Sequence, residues 1–230
     1  MGKKHIGDHL GFDYEYLPEE VTAENITQYY LDELERGRGE GFIPVIIPTE
    51  DNLESFLEDA GSEEYDVDHL PDTGKFFAAR ESEYEDEIEE SDYKSLEMTA
   101  GDKNDRLVSM LDFESGELAE CVVIHLPTDK PWEVPLLVPF GGWNECPDNA
   151  DMAAVLKYWY EQYGAVPAVI THDTLELVLP KPVPKDKAFE VAREHFLFCP
   201  DRVFQSTKTG TIGELAGDLS VSTVWYFWWD

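Results

Sequence analysis

The sequence predicts an α/β fold, a mixed β-sheet flanked by helices, with α+β as the alternative arrangement of the same elements. Short β-branched or aromatic runs at 42–47, 117–126, 165–171, 174–179 and 223–229 alternate with segments whose apolar residues recur at helical spacing. Glycine or proline punctuates the junctions. A chain of 230 residues that is 42% hydrophobic and 13% aromatic has enough apolar surface for one large domain or two small ones.

In the N-terminal part, Thr22 is placed to cap a helix in which Ile26, Tyr29, Tyr30 and Leu34 share one face, with Gly37 and Gly39 ending it. Phe42, Ile43, Pro44, Val45, Ile46 and Ile47 then read as a strand, Pro44 lying near its start or on an edge. A short helix from Asp51 turns Leu53, Phe56 and Leu57 inward. Composition changes here: residues 51–100 hold 18 acidic and 3 basic side chains, densest at 81–90. Such a like-charge block repels itself and reads as a solvated stretch or exposed helix. The sharper readings are an acidic arm for a basic partner and a surface adapted to high salt.

From residue 117 the pattern tightens. A buried strand ends at Pro127, and a second extended run is expected over 132–140. Gly141 and Gly142 turn the chain into a loop, 143–147, that leads to an amphipathic helix with Met152, Val155, Leu156, Trp159 and Tyr163 inward. Asp148 or Asn149 caps it and Gly164 stops it. Two strands then form a hairpin about His172 and Asp173, or one strand kinked there. A helix from about residue 186 places Ala188, Val191, Ala192 and His195 on one face. Thr211 and Glu214 have capping-box spacing for a last helix, and 223–229 is an aromatic strand inside the sheet. Residues 1–112 thus form an acidic region with a charged insert at about 60–100, and 113–230 an α/β domain, the two packing as one compact unit in the simplest case. The helix-then-strand stretch at 22–47 resembles that at 151–170, without enough identity for a repeat.

A set of motifs occurs in fixed order: Phe140-Gly141-Gly142-Trp143-Asn144-Glu145-Cys146-Pro147, Tyr158-Trp159, Tyr163-Gly164-Ala165, Asp173-Thr174-Leu175-Glu176, Phe198-Cys199-Pro200-Asp201 with Gln205, and the terminal Trp225-Tyr226-Phe227-Trp228-Trp229-Asp230. Over 132–230 these residues resemble the bacterial domain-of-unknown-function 4253 family, and Gly41 to Ile47 resembles its weaker N-terminal strand. Ser206 stands where that family has glycine, and the acidic block is outside the pattern. The resemblance implies a fold grouping and no activity.

Several constellations are candidates for chemistry. Trp143, Asn144 and Glu145 lie on a loop read as joining strand to helix, where open α/β sheets commonly seat ligands, and Cys146 beside a helix start is a candidate nucleophile. Each also has a structural reading: Trp143 as core plug, Asn144 as turn former, Cys146 as small buried hydrophobe. His172, Asp173 and Glu176 converge only if the chain bends at Thr174, since 173 and 176 face opposite sides of a straight strand. Asp201 and Gln205 flank the end of a helix on which His195 and Cys199 are one turn apart. Asp230 calls for solvent or a cation such as Arg193 or Arg202.

A formal charge of −33 disfavours nucleic acid and anionic lipid as partners. The imbalance is uneven, with 35 acids against 9 bases in residues 1–120 and 15 against 8 in 121–230. No apolar run approaches the ~20 residues of a membrane span, and no apolar stretch follows the basic start. Cys121, Cys146 and Cys199 are too sparse for a disulfide framework or a metal site, which points to a reduced, cytoplasmic protein. No phosphate-binding loop, nucleophile elbow or zinc-protease motif occurs. The expectation is a non-enzymatic, protein-binding module, immunity-like, with a basic protein as partner and no cofactor or metal. The alternative is a small hydrolase using loop 143–146 with Asp173, Glu176 or Cys199.

Overall fold

The computed structural model describes residues 6–49, 69–84, 97–112, 114–138 and 140–230. In chain order its elements are α1 (Ile6–Leu10), β1 (Asp13–Tyr16), α2 (Ile26–Glu40), β2 (Ile43–Pro48), α3 (Thr73–Glu83), β3 (Cys121–Leu126), a 3₁₀ turn (Pro131–Glu133) running into α4 (Val134–Leu137), α5 (Asn149–Tyr163), β4 (Val166–Ile170), β5 (Thr174–Val178), α6 (Ala188–Phe198), α7 (Asp201–Phe204), α8 (Ile212–Leu219) and β6 (Val224–Trp228).

β2 and β4 are buried at every position, as their unbroken apolar sequences require, and they pair in parallel with Ile46 opposite Val169. All other pairings are antiparallel, giving one mixed sheet in the order β1-β3-β2-β4-β5-β6. Pro44 is tolerated second in β2, and Pro167 falls at an irregularity in the β4–β5 register. The arrangement has a rough two-fold character: a helix precedes β2 and β4 alike, and β3 and β5 flank them in the same antiparallel sense. The two helices cover opposite faces. The Leu107 amide donates to Thr27 Oγ1 on α2 (3.0 Å), and the next two amides donate to Glu176, whose face of β5 is thereby α2's. Trp159 of α5 stacks on Phe227, which pairs with Leu175 on the other face. This symmetry gives a physical basis to the likeness between 22–47 and 151–170. Strands from both halves of the sequence share one contiguous core.

Local signals explain most element ends. The Asp148 side chain accepts from the amides of Ala150 and Asp151, and Gly164 closes α5 with φ 73°. The Thr211 hydroxyl accepts the Glu214 amide at the start of α8, while the Glu214 carboxylate takes the Lys208 and Thr209 amides instead of completing a capping box. α2 starts three residues after the expected Thr22 cap, with Asn25 at its N-cap, and runs through Gly37 and Gly39 to Gly41, whose φ of 86° ends it. Gly37 serves packing instead: a Cβ there would lie 2.3 Å from the Phe42 carbonyl oxygen.

Two expectations need correction. Residues 132–137 are helical and do not extend as a strand beside β3, both of whose sides are taken by β1 and β2. Pro131 and Pro135 instead open helical turns, where a missing N–H costs nothing. The aromatic C-terminal strand belongs to the sheet but sits at its edge, paired only with β5. Its outer side is closed by the chain at Asn104, whose carbonyl accepts the Thr223 and Val224 amides (3.0 and 3.1 Å). α1 and β1 were not anticipated. The helix expected from Asp51 lies outside the described residues, as does 85–96 of the acidic block. The start of that block is ordered: Glu81 and Glu83 end α3, and Glu81 pairs with Arg193 of α6.

Candidate functional site

Four of the seven candidate residues gather where the chain ends. Asn144 Nδ2 donates to the Asp230 carbonyl (2.7 Å), and the Asp230 amide donates to Asp201 Oδ2 (3.1 Å). The other Asp201 oxygen takes Gln205 Nε2 at 2.7 Å. Asp173 in the β4–β5 turn accepts the Trp228 indole N–H (2.9 Å), and its carbonyl accepts the Trp229 amide (3.1 Å). The hydroxyls of Thr171 and Thr174 fill its second oxygen (2.8 and 2.9 Å). These side chains fasten β6 to the β4–β5 turn, loop 143–147 and α7. Asn144 reaches its partner from a left-handed backbone, φ 46°, one that asparagine tolerates better than most residues.

The other three lie elsewhere. The Glu145 carboxylate is held by Arg80 (3.1 Å) and by a short bond from the Tyr84 phenol, contacts that keep it below the usual carboxylate range. Trp143 is half-buried against the core, its indole N–H without a partner among the described residues. Glu176 is fully buried on the α2 face and accepts the Val108 and Ser109 amides (3.0 Å each); burial pushes its pKa to about 7. Asp173 and Glu176 therefore do not converge.

The thiols and the imidazole are also committed to structure. Cys199 donates to the Trp228 carbonyl at 3.1 Å, and burial pushes its thiol up to about 12, the reverse of nucleophile activation. His195 does not face Cys199: its ring packs on Trp225 (4.4 Å), Phe227 (4.7 Å) and Trp159 (5.0 Å), and burial holds it neutral. Cys146 is buried. Loop 143–147 follows α4 and not a strand. The carboxyl end of the parallel pair opens into a cavity of about 640 Å³ bounded by Pro48, Ser109, Thr171 and His172.

Asp230 is exposed to solvent, one of the two settings expected for it. Arg202 lies buried beneath the edge strand, against a second cavity that Gln205 and Trp228 also line. Its position one residue after Asp201 was visible; that it would be enclosed without a counter-ion was not. Among the described residues no three of His, Cys, Asp and Glu converge as metal ligands, and no helix is long and apolar enough to cross a membrane.

Residues 122–230 match the family described as Domain of unknown function (DUF4253). This segment is a DUF4253 domain. No curated protein and no solved structure matches the chain. The DUF4253 domain starts within β3 and contains all seven candidate residues, whereas α1, β1, α2, β2 and α3 precede it. Its motif residues, met in sequence as scattered polar and aromatic side chains, are to a large extent the clasp around β6.

Proposed function

We propose that this chain is a non-enzymatic bacterial binding protein of the cytoplasm that presents an acidic surface to a basic protein, as an immunity protein masks a cationic toxin. The observation that carries this reading is the exposed N-terminal edge of the sheet. Asp13, Glu15, Glu19, Glu20 and Glu24 are all exposed with no basic residue among 13–24, and Tyr16 beside them is 51% exposed. An exposed acidic surface with one large aromatic suits an extended basic segment, with charge steering the encounter. The overall charge of −33 favours the same class of partner. A reducing compartment accords with three cysteines that form no disulfide. The hydrolase alternative has less support, because the groups it needs are already engaged: Glu145 with Arg80 and Tyr84, Asp173 with Trp228, and Cys199 as a protonated thiol.

The test is capture from host lysate at low salt, with a variant carrying Glu15→Gln, Glu19→Gln, Glu20→Gln and Glu24→Gln in parallel. The expected result is a cationic protein that the wild type retains, that salt elutes and that the variant fails to hold. Recovery of only acidic proteins, or equal retention by the variant, counts against the reading.

A further inference from the structure

Arg202 is only 7% exposed, and its Nε is buried without a hydrogen-bond partner. Among the described residues no carboxylate comes within ion-pairing distance of it; the opposite charge it feels most is Asp218, through space. In a chain with 50 acidic side chains, a buried cation without a direct partner is conspicuous. Isolating such a charge from water carries a large penalty unless something compensates it.

The guanidinium borders a cavity of about 450 Å³ whose wall on the sheet side is Tyr226 and Trp228, the half-buried face of β6. The other charges at this cavity are mostly satisfied. Lys208 pairs with Asp102, Lys103 with Asp105, and Glu214 holds the Lys208 and Thr209 amides (2.9 and 2.7 Å) and the Thr209 hydroxyl. Asp218 has one oxygen on the Asp102 amide (2.7 Å). What remains is one cation and one anion facing the same space but too far apart to neutralise each other directly. A ligand that satisfies both carries a carboxylate and an ammonium close together.

We propose that this cavity binds a free α-amino acid, its carboxylate forked on Arg202, its ammonium held by Asp218, and its side chain against Tyr226 and Trp228. The planar guanidinium matches a carboxylate in a two-bond fork. Phosphate fits less well, because a dianion here meets Asp218, Asp102 and Glu214 as well as the field of the whole chain. Trp228 is already oriented by its indole bond to Asp173, so the wall is formed before a ligand arrives.

Thermal melts of the full chain against each of the twenty free L-amino acids, with acetate, methylamine, N-acetylglycine and inorganic phosphate as controls, test this. At least one amino acid is expected to raise the melting temperature by about 5 °C near saturation, with smaller or no shifts from the controls. Arg202→Met abolishes that shift while leaving the unliganded melting temperature unchanged or higher, since it removes an unpaired buried charge at similar side-chain length. Asp218→Asn weakens the chosen amino acid about tenfold in calorimetry and leaves acetate unaffected; this variant decides the matter if Arg202→Met does not fold. The proposal is overturned if no amino acid shifts the melt, if the shift survives both substitutions, if N-acetylglycine binds as well as the free amino acid, or if phosphate is preferred.

Discussion

β1 and β6 occupy matching places at the two ends of the sheet, each bonded to one neighbouring strand among the described residues. β1 pairs with β3 over four positions, three of its residues are exposed, and acidic side chains surround it. β6 pairs with β5 over five, Trp225 and Phe227 are fully buried, and Asn104 covers its free side. An unprotected strand edge invites pairing with other chains, and proteins blunt it either with charge and shortness or by covering it. This molecule uses both answers. The strands one place in from the edges differ in the same way: His125 on β3 joins a partly buried charged group with Arg36 (3.1 Å) and Glu33 (3.5 Å), whereas Glu176 on β5 is sealed under backbone amides. The N-terminal edge is therefore acidic and largely exposed, and the C-terminal edge belongs to the core.

The widest test of this contrast is to cut each edge away. A chain ending at Thr223 loses cooperative folding, because each large aromatic contributes ~2–3 kcal/mol of burial against a net stability of ~5–15 kcal/mol. A chain starting at Leu17 keeps its fold and loses only ~1–2 kcal/mol. Circular dichroism with thermal melts checks both; a native-like cooperative melt of the first chain would make β6 a detachable element and erase the difference.

Titration sharpens it next. Burial raises the pKa of the Glu176 carboxyl to about 7, from an ordinary value of 4.5. Below pH 4.5 it is protonated in both states and has no effect; as pH rises towards 7 the unfolded chain releases the proton first, and stability falls by up to ~3 kcal/mol. Glu176→Gln removes that slope in urea unfolding measured across this range. His195 acts in the opposite sense. Burial lowers its pKa well below 6.5, so its contribution is complete above that value and is lost as pH falls below it. His195→Met flattens the acid side of the same curve. If both variants keep the wild-type profile, the buried groups of the C-terminal half are not what sets its pH response.

Smaller effects follow at the surface. Arg80→Ala releases the Leu197 carbonyl, Glu145 and Tyr84 together and costs ~1–2 kcal/mol, visible as faster amide exchange in α3. Tyr16→Ser on β1 changes stability by less than ~0.5 kcal/mol in the same unfolding assay. A larger loss there would show that the acidic edge is also structural.

Much of the fold was readable from neighbours along the chain. Asp148 and Gly164 bound α5, Thr211 opens α8, and the continuous apolar runs of β2 and β4 mark strands covered on both faces, because caps, periodicity and turn geometry depend on residues within about four positions. The candidate site was half legible. Asn144, Asp173, Asp201 and Gln205 stood out as polar residues set among glycine, proline and aromatics, but the terminal strand they gather round lies 19 or more residues away from each.

The strand order, and with it the edge position of β6, rests on which partners had already taken each side of β3 and β5. Run 132–140 reads as a strand by composition, yet 131–137 are helical turns, with Pro131 and Pro135 placed where a helix start needs no N–H. Arg202 makes the same point in electrostatic terms. Its sequence neighbours announce a helix end, yet its lack of a counter-ion among the described residues comes from Asp102 and Glu214 satisfying other groups, and Asp218 lying out of direct reach, across a cavity assembled from segments about 100 residues apart. Hydrogen bonding to near neighbours is written locally; the solvation of a charge is a property of everything that surrounds it in three dimensions.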